Sequence, residues 1–438
     1  MPWRRLPLPF LRERARPDDI APRHEPGLSA RQAELVKRVR FVVALARSLH
    51  SYGTAAPRLE NAVTEVAATM GLVCNVNSSP TSLVFSFRAQ GGPETILNEV
   101  TRVVRLEPGG RDLHRLSLAD AVAEQVLDGE LDVDAGYARL LEIEAMPGLD
   151  ERLVVISYGL IATALAVMLG RGWADVIAAL AIGTVVGLVD RYCAHRPHLR
   201  PSSQATCALL ATVLIGAWSH FLMPLSVQSV VLASLLVLLP GLSLTTAINE
   251  LATDHLVSGV ARFAGAFAVL LKLAFGVVAG SQIVLLLGWL GGAEAVAPVP
   301  SWMLWPALLV AGFGFAISFG AAWRDFPLVM AAAIFSFLIS RYFGTVVGSE
   351  FGVFLAALIA CAAGNLYARM FRRPGALIRF PGIILLVPGS IGFRGLTQVF
   401  ERDVFLSLGT GYTLLVVLVT LVAGLLFGNL LVPPRRTL

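Results

Sequence analysis

Long apolar runs separated by short polar segments fill the last two thirds of the chain. Each run approaches the ~20 apolar residues that a helix needs to cross a bilayer. The fifth run is too long for one perpendicular helix and too short for two, so we expect one long, tilted helix that projects from the bilayer. The ten predicted spans are approximately Leu153–Leu169, Trp173–Val189, Ser203–Leu222, Val227–Leu244, Val257–Leu290, Trp302–Trp323, Pro327–Phe343, Phe351–Tyr367, Leu377–Phe393 and Val404–Val432.

Shorter amphipathic patterns occupy the first 150 residues. Apolar residues at helical spacing alternate there with two extended runs that have the period of half-buried strands. The pattern predicts a small α+β domain, residues 29–150, next to the membrane. Its predicted helices are Ser29–Ser51, Pro57–Met70, Ser117–Leu127 and Val133–Ala145, its strands are Leu72–Asn77 and Ser82–Phe87, and Thr95–Leu106 fits either type.

Charge divides the chain at the same place. Hydrophobic residues make up 56% and charged residues 15% of the chain, against about 25% charged residues in a soluble domain. Residues 1–150 hold 18 Lys/Arg and 20 Asp/Glu, which leaves 17 and 10 for the remaining 288 positions. We therefore expect a basic disordered tail (1–28), the α+β domain and a membrane domain that begins near residue 151.

Arginine placement predicts the orientation, because short loops rich in Lys and Arg stay in the cytoplasm. With ten spans, three arginine clusters fall on one side of the membrane. The other side receives loops such as SHFLMPLSV, which carry no Lys or Arg. The N-terminal domain and both termini are therefore predicted to be cytoplasmic. The clusters are Arg191, Arg196 and Arg200; Arg369, Arg372, Arg373 and Arg379; and Arg435 with Arg436.

A repeated motif divides the membrane domain into halves. LVLLPG at Leu236–Gly241 recurs as ILLVPG at Ile384–Gly389, 148 residues later. The same offset carries most span starts of the first half close to span starts of the second. Because five spans are an odd number, the second unit must enter the membrane from the opposite side. The expected fold is a polytopic α-helical membrane protein of two inverted five-helix repeats, residues 151–295 and 296–438.

The repeated motif also predicts two broken helices. Proline removes a backbone donor and glycine permits unusual backbone angles, so each helix should break at its Pro-Gly pair, Pro240–Gly241 and Pro388–Gly389. Unpaired backbone at membrane depth is tolerated only where it lines a cavity or is buried in protein. Both breaks are therefore expected to approach one translocation path.

The stretches SYGTAAPRLENAVTEVAATMGL, VNSSPTSLVFSF, LPGLSLTTAINELATDHLVSGVARF and VPGSIGFRG resemble the threonine/serine exporter family. The resemblance extends from about Ala30 to Leu431. It implies a bacterial inner-membrane exporter of threonine and serine that the proton motive force drives, and related two-subunit members are associated with dicarboxylate export. The chain departs from the expected pattern at Pro57 and Arg58, where a more helix-compatible pair is expected.

Candidate proton-coupling residues follow the first Pro-Gly pair. Glu250 and Asp254 are four residues apart and would share one face of a helix. Two carboxylates in a cavity of low polarity raise each other's proton affinity, and His255 titrates in a suitable range. The alternative interpretation is a polar turn in which both carboxylates cap the following helix.

Candidate substrate-binding residues surround the two breaks. Hydroxyl, amide and charged side chains there can bind an amino acid's carboxylate, ammonium and hydroxyl groups, although hydroxyls also bond back to their own helix. The substrate carboxylate is expected near a broken-helix N-terminus. The predicted substrate-binding residues are Ser243, Thr245, Thr246, Asn249, Glu250, Ser390 and Arg394.

Two other functional classes stay open. A dicarboxylate exporter would need cations such as Arg262, Lys272 or Arg394 to face the cavity. A membrane-anchored enzyme or sensor would act through residues 29–150, but no assembled catalytic or phosphate-binding motif is present there. We therefore expect a transporter rather than an enzyme, with no cofactor, metal site or nucleic-acid partner. Its expected partners are threonine, serine, protons and membrane lipids, and a homo-oligomer is one possible state.

Overall fold

The computed structural model describes residues 30–90, 99–289, 298–386, 389–400 and 404–434. The N-terminal part of the chain has the predicted α+β arrangement. The run Thr95–Leu106, which fitted either a helix or a strand, contains a strand in its described part. The predicted tail, residues 1–28, lies outside the described residues. The elements of this N-terminal domain are α1 (Ala30–Ser51), α2 (Ala56–Thr69), β1 (Leu72–Ser79), β2 (Ser82–Ala89), β3 (Val100–Arg105), α3 (Leu113–Leu127) and α4 (Val133–Ala145).

The three strands form an antiparallel sheet in the order β1-β2-β3. Leu72 lies opposite Ala89 across the β1–β2 pair. Along β2 the side chains alternate: Phe85 and Phe87 are buried, whereas Val84 is exposed. Because successive strand residues face opposite sides, one face of the sheet joins the core, which α1 and α2 complete.

The membrane domain is entirely helical in the residues that the structure describes. Among the described residues, nine helical stretches are long and apolar enough to cross a membrane, or ten if the bent pair α8–α9 is one span. This range agrees with the ten predicted spans. The helices are α5 (Glu151–Met168), α6 (Trp173–Ala194), α7 (Ser203–Phe221), α8 (Val227–Leu235), α9 (Gly241–Ala252), α10 (Leu256–Leu286), α11 (Leu304–Ser318), α12 (Phe326–Val346), α13 (Ser349–Phe371), α14 (Ala376–Ile384), α15 (Gly389–Phe400) and α16 (Val404–Leu431).

The fourth and fifth spans show where the prediction was right and where it was wrong. The fifth span is one uninterrupted helix of 31 residues, α10, as expected. The fourth breaks before Gly241 with a bend of 57°, which confirms the predicted helix break at Pro240. Leu239 is extended there, because a residue that precedes proline avoids helical angles. The predicted end at Leu244 was wrong, since the helix restarts as α9 and continues to Ala252.

Two glycines 148 residues apart each lie in close contact with a neighbouring helix of the membrane domain. A Cβ atom added to Gly276 of α10 would lie 2.3 Å from the carbonyl oxygen of Ala205 in α7. A Cβ atom added to Gly424 of α16 would lie 2.5 Å from the carbonyl oxygen of Phe354 in α13. Gly424 follows Gly276 by 148 residues, the offset of the two Pro-Gly motifs. The offset of 148 residues therefore relates two glycine contacts between helices as well as two sequence motifs.

The N-terminal domain is docked on one end of the membrane domain. The loops after α6, α11 and α13 all contact it, whereas α5 begins beside it. Consequently α5 starts and α11 ends at the same side. The contacts include a 2.9 Å bond from Leu113 N to Phe319 O, a 2.7 Å ion pair between Arg200 and Glu107, and a 2.9 Å ion pair between Arg372 and Asp128.

We expect Gly276→Ala to destabilise the protein, because the added methyl group would overlap the backbone of α7. Overpacking of this kind costs about 1–3 kcal/mol, so the apparent melting temperature in detergent should fall by several degrees. Gly265→Ala on the same helix is the matched control, since nothing lies within 4 Å of its added Cβ atom. Equal melting temperatures for the two variants would show that α7 and α10 are not in close contact.

Candidate functional site

Glu250 joins the membrane domain to the N-terminal domain. Its side chain, in the last turn of α9, is fully buried. One carboxylate oxygen, Oε1, accepts a 3.1 Å hydrogen bond from the backbone N–H of Ala56, at the start of α2. The other, Oε2, accepts hydrogen bonds from Ser258 Oγ at 2.9 Å and Arg262 Nε at 3.0 Å. A single carboxylate thus holds α2, α9 and α10 together.

Asp254 does not share this position. The predicted common helix face for Glu250 and Asp254 was wrong, because α9 ends at Ala252. Asp254 has a φ of +62°, in the left-handed region, and it is exposed. Aspartate tolerates this conformation better than most residues do. The chain therefore turns away between the two carboxylates before α10 begins.

His255 faces a second carboxylate, in the N-terminal domain. Its Nε2 atom lies 3.3 Å from Glu60 Oε2, and its Nδ1 atom lies 2.6 Å from the carbonyl oxygen of Thr253. Glu60 also accepts a 2.7 Å hydrogen bond from Ser78 N. Burial raises the pKa of the Glu60 carboxyl above its ordinary value, more than its partners lower it. Two contacts thus hold the segment between the end of α9 and the start of α10 against α2. Glu250 accepts from the Ala56 N–H, and His255 faces Glu60.

A cavity of about 310 Å³ lies where α2, α9 and α14 meet. Its volume is at the lower end of the range for small-molecule sites, about 300–1,000 Å³. Several residues on its wall were predicted site residues: Thr245, Thr246, Asn249 and His255. Other residues on the wall are Thr54, Pro57, Arg58, Asn61, Cys361, Arg379, Phe380, Ile383 and Asn429.

The polar side chains of α9 differ in their hydrogen bonding. Thr246 Oγ1 bonds back to Leu242 O at 2.7 Å, the alternative that the sequence left open. Thr245 is buried, and its Oγ1 atom has no hydrogen-bonding partner among the described residues. A buried hydroxyl without a partner costs free energy. Because the residue lies on the cavity wall, a rotation of its side chain would bring this hydroxyl to a bound molecule.

Two arginines from different domains reach the cavity. Arg58, in the first turn of α2, donates a 2.7 Å hydrogen bond from Nη2 to Asn365 Oδ1. Arg379 extends from α14. Burial and the charge of Arg379 lower the pKa of the Arg58 guanidinium well below its ordinary value. Neither arginine was a predicted ligand. The departure from the family pattern at Pro57 and Arg58 was the available signal for one of them.

Pro57 fits its position for a physical reason. It occupies the first turn of α2, where the N–H that proline lacks has no partner within the helix. The pair that departed from the expected pattern is therefore compatible with the helix. Helix α2 starts at Ala56, which is bonded to Glu250, and Pro57 and Arg58 follow on the cavity wall.

Other predicted ligands lie elsewhere. Ser243 is half-buried and Arg394 is exposed, and neither is on the cavity wall. Glu250 lies behind the wall, where Ala56, Ser258 and Arg262 engage its carboxylate. The three cations that a dicarboxylate exporter was expected to use, Arg262, Lys272 and Arg394, are also absent from the wall.

The start of α9 and the start of α15 lie beside a separate, smaller cavity. A Cβ atom added to Gly389 would lie 3.1 Å from the Cα atom of Gly241. Pro388 lies outside the described residues. Ser390 and Arg111, from the N-terminal domain, line the adjoining cavity of about 70 Å³. Burial and the charge of Arg262 lower the pKa of Arg111 to about 10. The start of α9 thus contacts the start of α15.

No group of three or more His, Cys, Asp or Glu side chains arranged for a metal ion occurs in the described parts of the chain. All four cysteines are unpaired and buried.

Two family profiles together match most of the chain. A profile described as "Putative threonine/serine exporter" matches residues 40–284, and one described as "Threonine/Serine exporter, ThrE" matches residues 306–431. The chain belongs to the threonine/serine exporter family. The first match includes the N-terminal domain from within α1 together with α5 to most of α10, and the second extends from α11 to the end of α16.

Curated relatives of this exporter-family chain include several fungal proteins. Pheromone-regulated membrane protein 10 of Eremothecium gossypii is 25% identical over 402 residues, which are 88% of this chain and 53% of that protein. The protein of the same name from Zygosaccharomyces rouxii is 23% identical, over 94% of this chain and 44% of its own length. An uncharacterised Schizosaccharomyces pombe protein is 24% identical over 83% of this chain and 49% of its own length. The chain thus spans about half the length of these relatives. No solved structure matches it.

The pair of Glu250 and Arg262 in this family member can be tested by a double-mutant cycle. We expect Arg262→Ala to destabilise the protein by about 3–5 kcal/mol, because it leaves the buried Glu250 charge uncompensated. Glu250→Ala should destabilise it less, because the side chain of Arg262 is 22% exposed. The double variant should lose much less than the sum of the two losses. Unfolding in detergent measures all three.

Asp254→Asn is the control for the cycle, because Asp254 is exposed and asparagine tolerates its backbone angle. Additive losses in the double variant would mean that Glu250 and Arg262 do not interact.

Proposed function

We propose that the protein is a secondary active exporter of small hydroxylated amino acids, threonine and serine, driven by the proton motive force. The observation that carries the proposal is the cavity on α9. Its wall carries the Asn249 amide and Thr245, whose hydroxyl has no partner among the described residues, and its volume suits one small molecule. Family membership supports transport as the activity.

The proposed proton-coupling residue is Glu250. Its carboxylate is buried and paired with Arg262, so a proton on it removes the charge that holds Arg262 and the Ala56 N–H. Protonation would weaken the joint between α9 and α2, and deprotonation would restore it. A proton and the transported molecule would then act on the same short helix. His255 and Glu60 form a second ionisable pair at the same joint.

We further propose that the two five-helix units are inverted repeats. Two observations support this arrangement: the glycine contacts repeat at the same offset as the Pro-Gly motifs, and α5 starts at the side where α11 ends. Inverted repeats with broken helices are a common architecture of secondary transporters. The break at Gly241 and the start of α15 at Gly389 would then be equivalent elements of the transport path.

The proposed location is a bacterial inner membrane, with the N-terminal domain and both termini in the cytoplasm. The arginines of the loops on the docked side support this orientation under the positive-inside rule. In this arrangement the cavity opens near the cytoplasmic face, from which an exporter takes its substrate.

A second candidate function is export of small dicarboxylates. The specific observation in its favour is the charge of the cavity. Arg58, Arg379 and His255 lie on its wall, whereas no Asp or Glu does among the described residues. A dianion would match these cations better than a zwitterion, whose ammonium group finds only neutral oxygens there.

Transport into proteoliposomes separates the two candidates. We expect an imposed pH gradient to drive flux of labelled threonine, and excess serine to inhibit it, while excess succinate has little effect. Liposomes without protein are the control. Flux of labelled succinate without threonine flux would favour the dicarboxylate exporter. Threonine flux that is equal with and without the gradient would contradict proton coupling.

Glu250→Gln tests the coupling residue. Glutamine keeps an acceptor for the Ala56 N–H but cannot titrate. Flux driven by a threonine gradient should persist in this variant, whereas stimulation by the pH gradient should disappear. Asp254→Asn provides a matched loss of one carboxylate at an exposed position. Normal stimulation in Glu250→Gln would remove Glu250 from the coupling mechanism.

A further inference from the structure

We propose that Arg58 and Arg379 together bind the carboxylate of the transported molecule, so that the N-terminal domain supplies half of the binding site. The inference rests on the proposed function, because it names the residues that recognise the substrate. It applies to an amino acid and to a dicarboxylate, since both carry a carboxylate. In either case the N-terminal domain takes part directly in binding.

The position of Arg58 follows from the docking of α2. The Ala56 N–H is bonded to Glu250, and Arg58 lies two residues further on, in the first turn of the helix. Its guanidinium crosses to the membrane domain and donates to the Asn365 amide of α13 at 2.7 Å. The two contacts place the guanidinium on the cavity wall. Arg58 therefore reaches the cavity only while α2 stays docked.

Arg379 approaches the same space from α14. Its neighbours include the thiol of Cys361 and the ring of Phe380, whose centroid lies 6.0 Å from Cζ. It has no carboxylate partner among the described residues, in contrast to Arg373, which forms two 2.7 Å hydrogen bonds with Asp325. Two arginine charges on one small cavity repel each other. An anion between them offsets that repulsion.

A carboxylate suits these groups in charge and in geometry. Guanidinium groups bind carboxylates through parallel N–H···O bonds, and such charged hydrogen bonds are among the strongest in proteins. Thr245 provides the second, independent observation, because it lies on the same wall and its buried hydroxyl has no partner among the described residues. The Thr245 hydroxyl and the Asn249 amide would bind the remaining polar groups of the transported molecule. The cavity thus provides a cationic part and a neutral polar part.

The arrangement links binding to docking. Arg58 and Arg379 belong to different domains, so a bound carboxylate adds an attraction between them. Loss of the Glu250–Ala56 contact would withdraw Arg58 and leave half of the site. The bound molecule and a deprotonated Glu250 therefore stabilise the same docked arrangement.

Neutral substitutions test the site in proteoliposomes. We expect Arg58→Gln and Arg379→Gln each to raise the KM for the transported molecule by about tenfold or more, the effect of losing a hydrogen bond to a charged group. Arg379→Lys should recover part of the loss. Arg102→Gln and Arg369→Gln are matched controls, since both arginines are exposed, one in each domain. An unchanged KM in both neutral variants, with folding verified in detergent, would overturn the proposal.

Amide analogues separate recognition from a merely structural role. In the wild type, the transported acid should compete far better than its amide: threonine better than threoninamide for an amino-acid exporter, or succinate better than succinamide for a dicarboxylate exporter. Both arginine variants should lose this preference for the acid over the amide, because the charge that recognises it is gone. A variant with lower flux and an intact acid preference would show that the arginine only supports the fold.

Thermal protection distinguishes failure of the site from failure of the proposed function. Threonine or succinate should raise the melting temperature of the detergent-solubilised wild type but not of the arginine variants. If the ligands protect only the wild type and no flux occurs, the site stands and the exporter does not. If flux is normal and all variants retain the acid preference, the exporter stands and the site is wrong.

Discussion

A buried carboxylate fixes the arrangement of the two domains. An ionised carboxyl group away from water is stable only when charged and hydrogen-bonding partners surround it. Glu250 obtains these partners from α2 and α10, as Ala56 N–H, Ser258 and Arg262. Because Ala56 belongs to the N-terminal domain, satisfying Glu250 also docks that domain. This contact sets the start of α2 against the membrane domain, and with it the position of Arg58 on the cavity wall.

The membrane helices were predictable because lipid imposes a simple rule on sequence. Every span must be apolar and must satisfy its own backbone, so hydrophobic runs mark the helices and a Pro-Gly pair marks a break. This rule located α10 as one helix and the bend before Gly241. It did not locate the end of the fourth span, because Leu244 to Ala252 satisfies its backbone as a helix while its polar side chains face protein. Composition cannot distinguish such a helix from a loop.

The site depends on contacts that no local pattern contains. Arg58 and Arg379 are far apart in the chain, and only the docking of α2 brings them to one cavity. Glu250 was predictable as a special residue, since an acid beside a membrane span is rare, but its pairing with Arg262 required the turn after Ala252. That turn depends on the left-handed backbone at Asp254. Spacing of four residues predicted a shared helix face, and the turn prevented it.

The geometry of α9 explains how a proton and a substrate would influence each other. The residues Thr245, Thr246 and Asn249 lie on the cavity side of this helix, while Glu250 is rotated by about 100° from Asn249 and faces α2 and α10. One end of α9 is separated from α8 by the break before Gly241, and the other is held by Glu250. A ligand on one face and a charge on the next would therefore act on the same short helix. Coupling requires such a shared element, because each site changes the other only through the states that both of them favour.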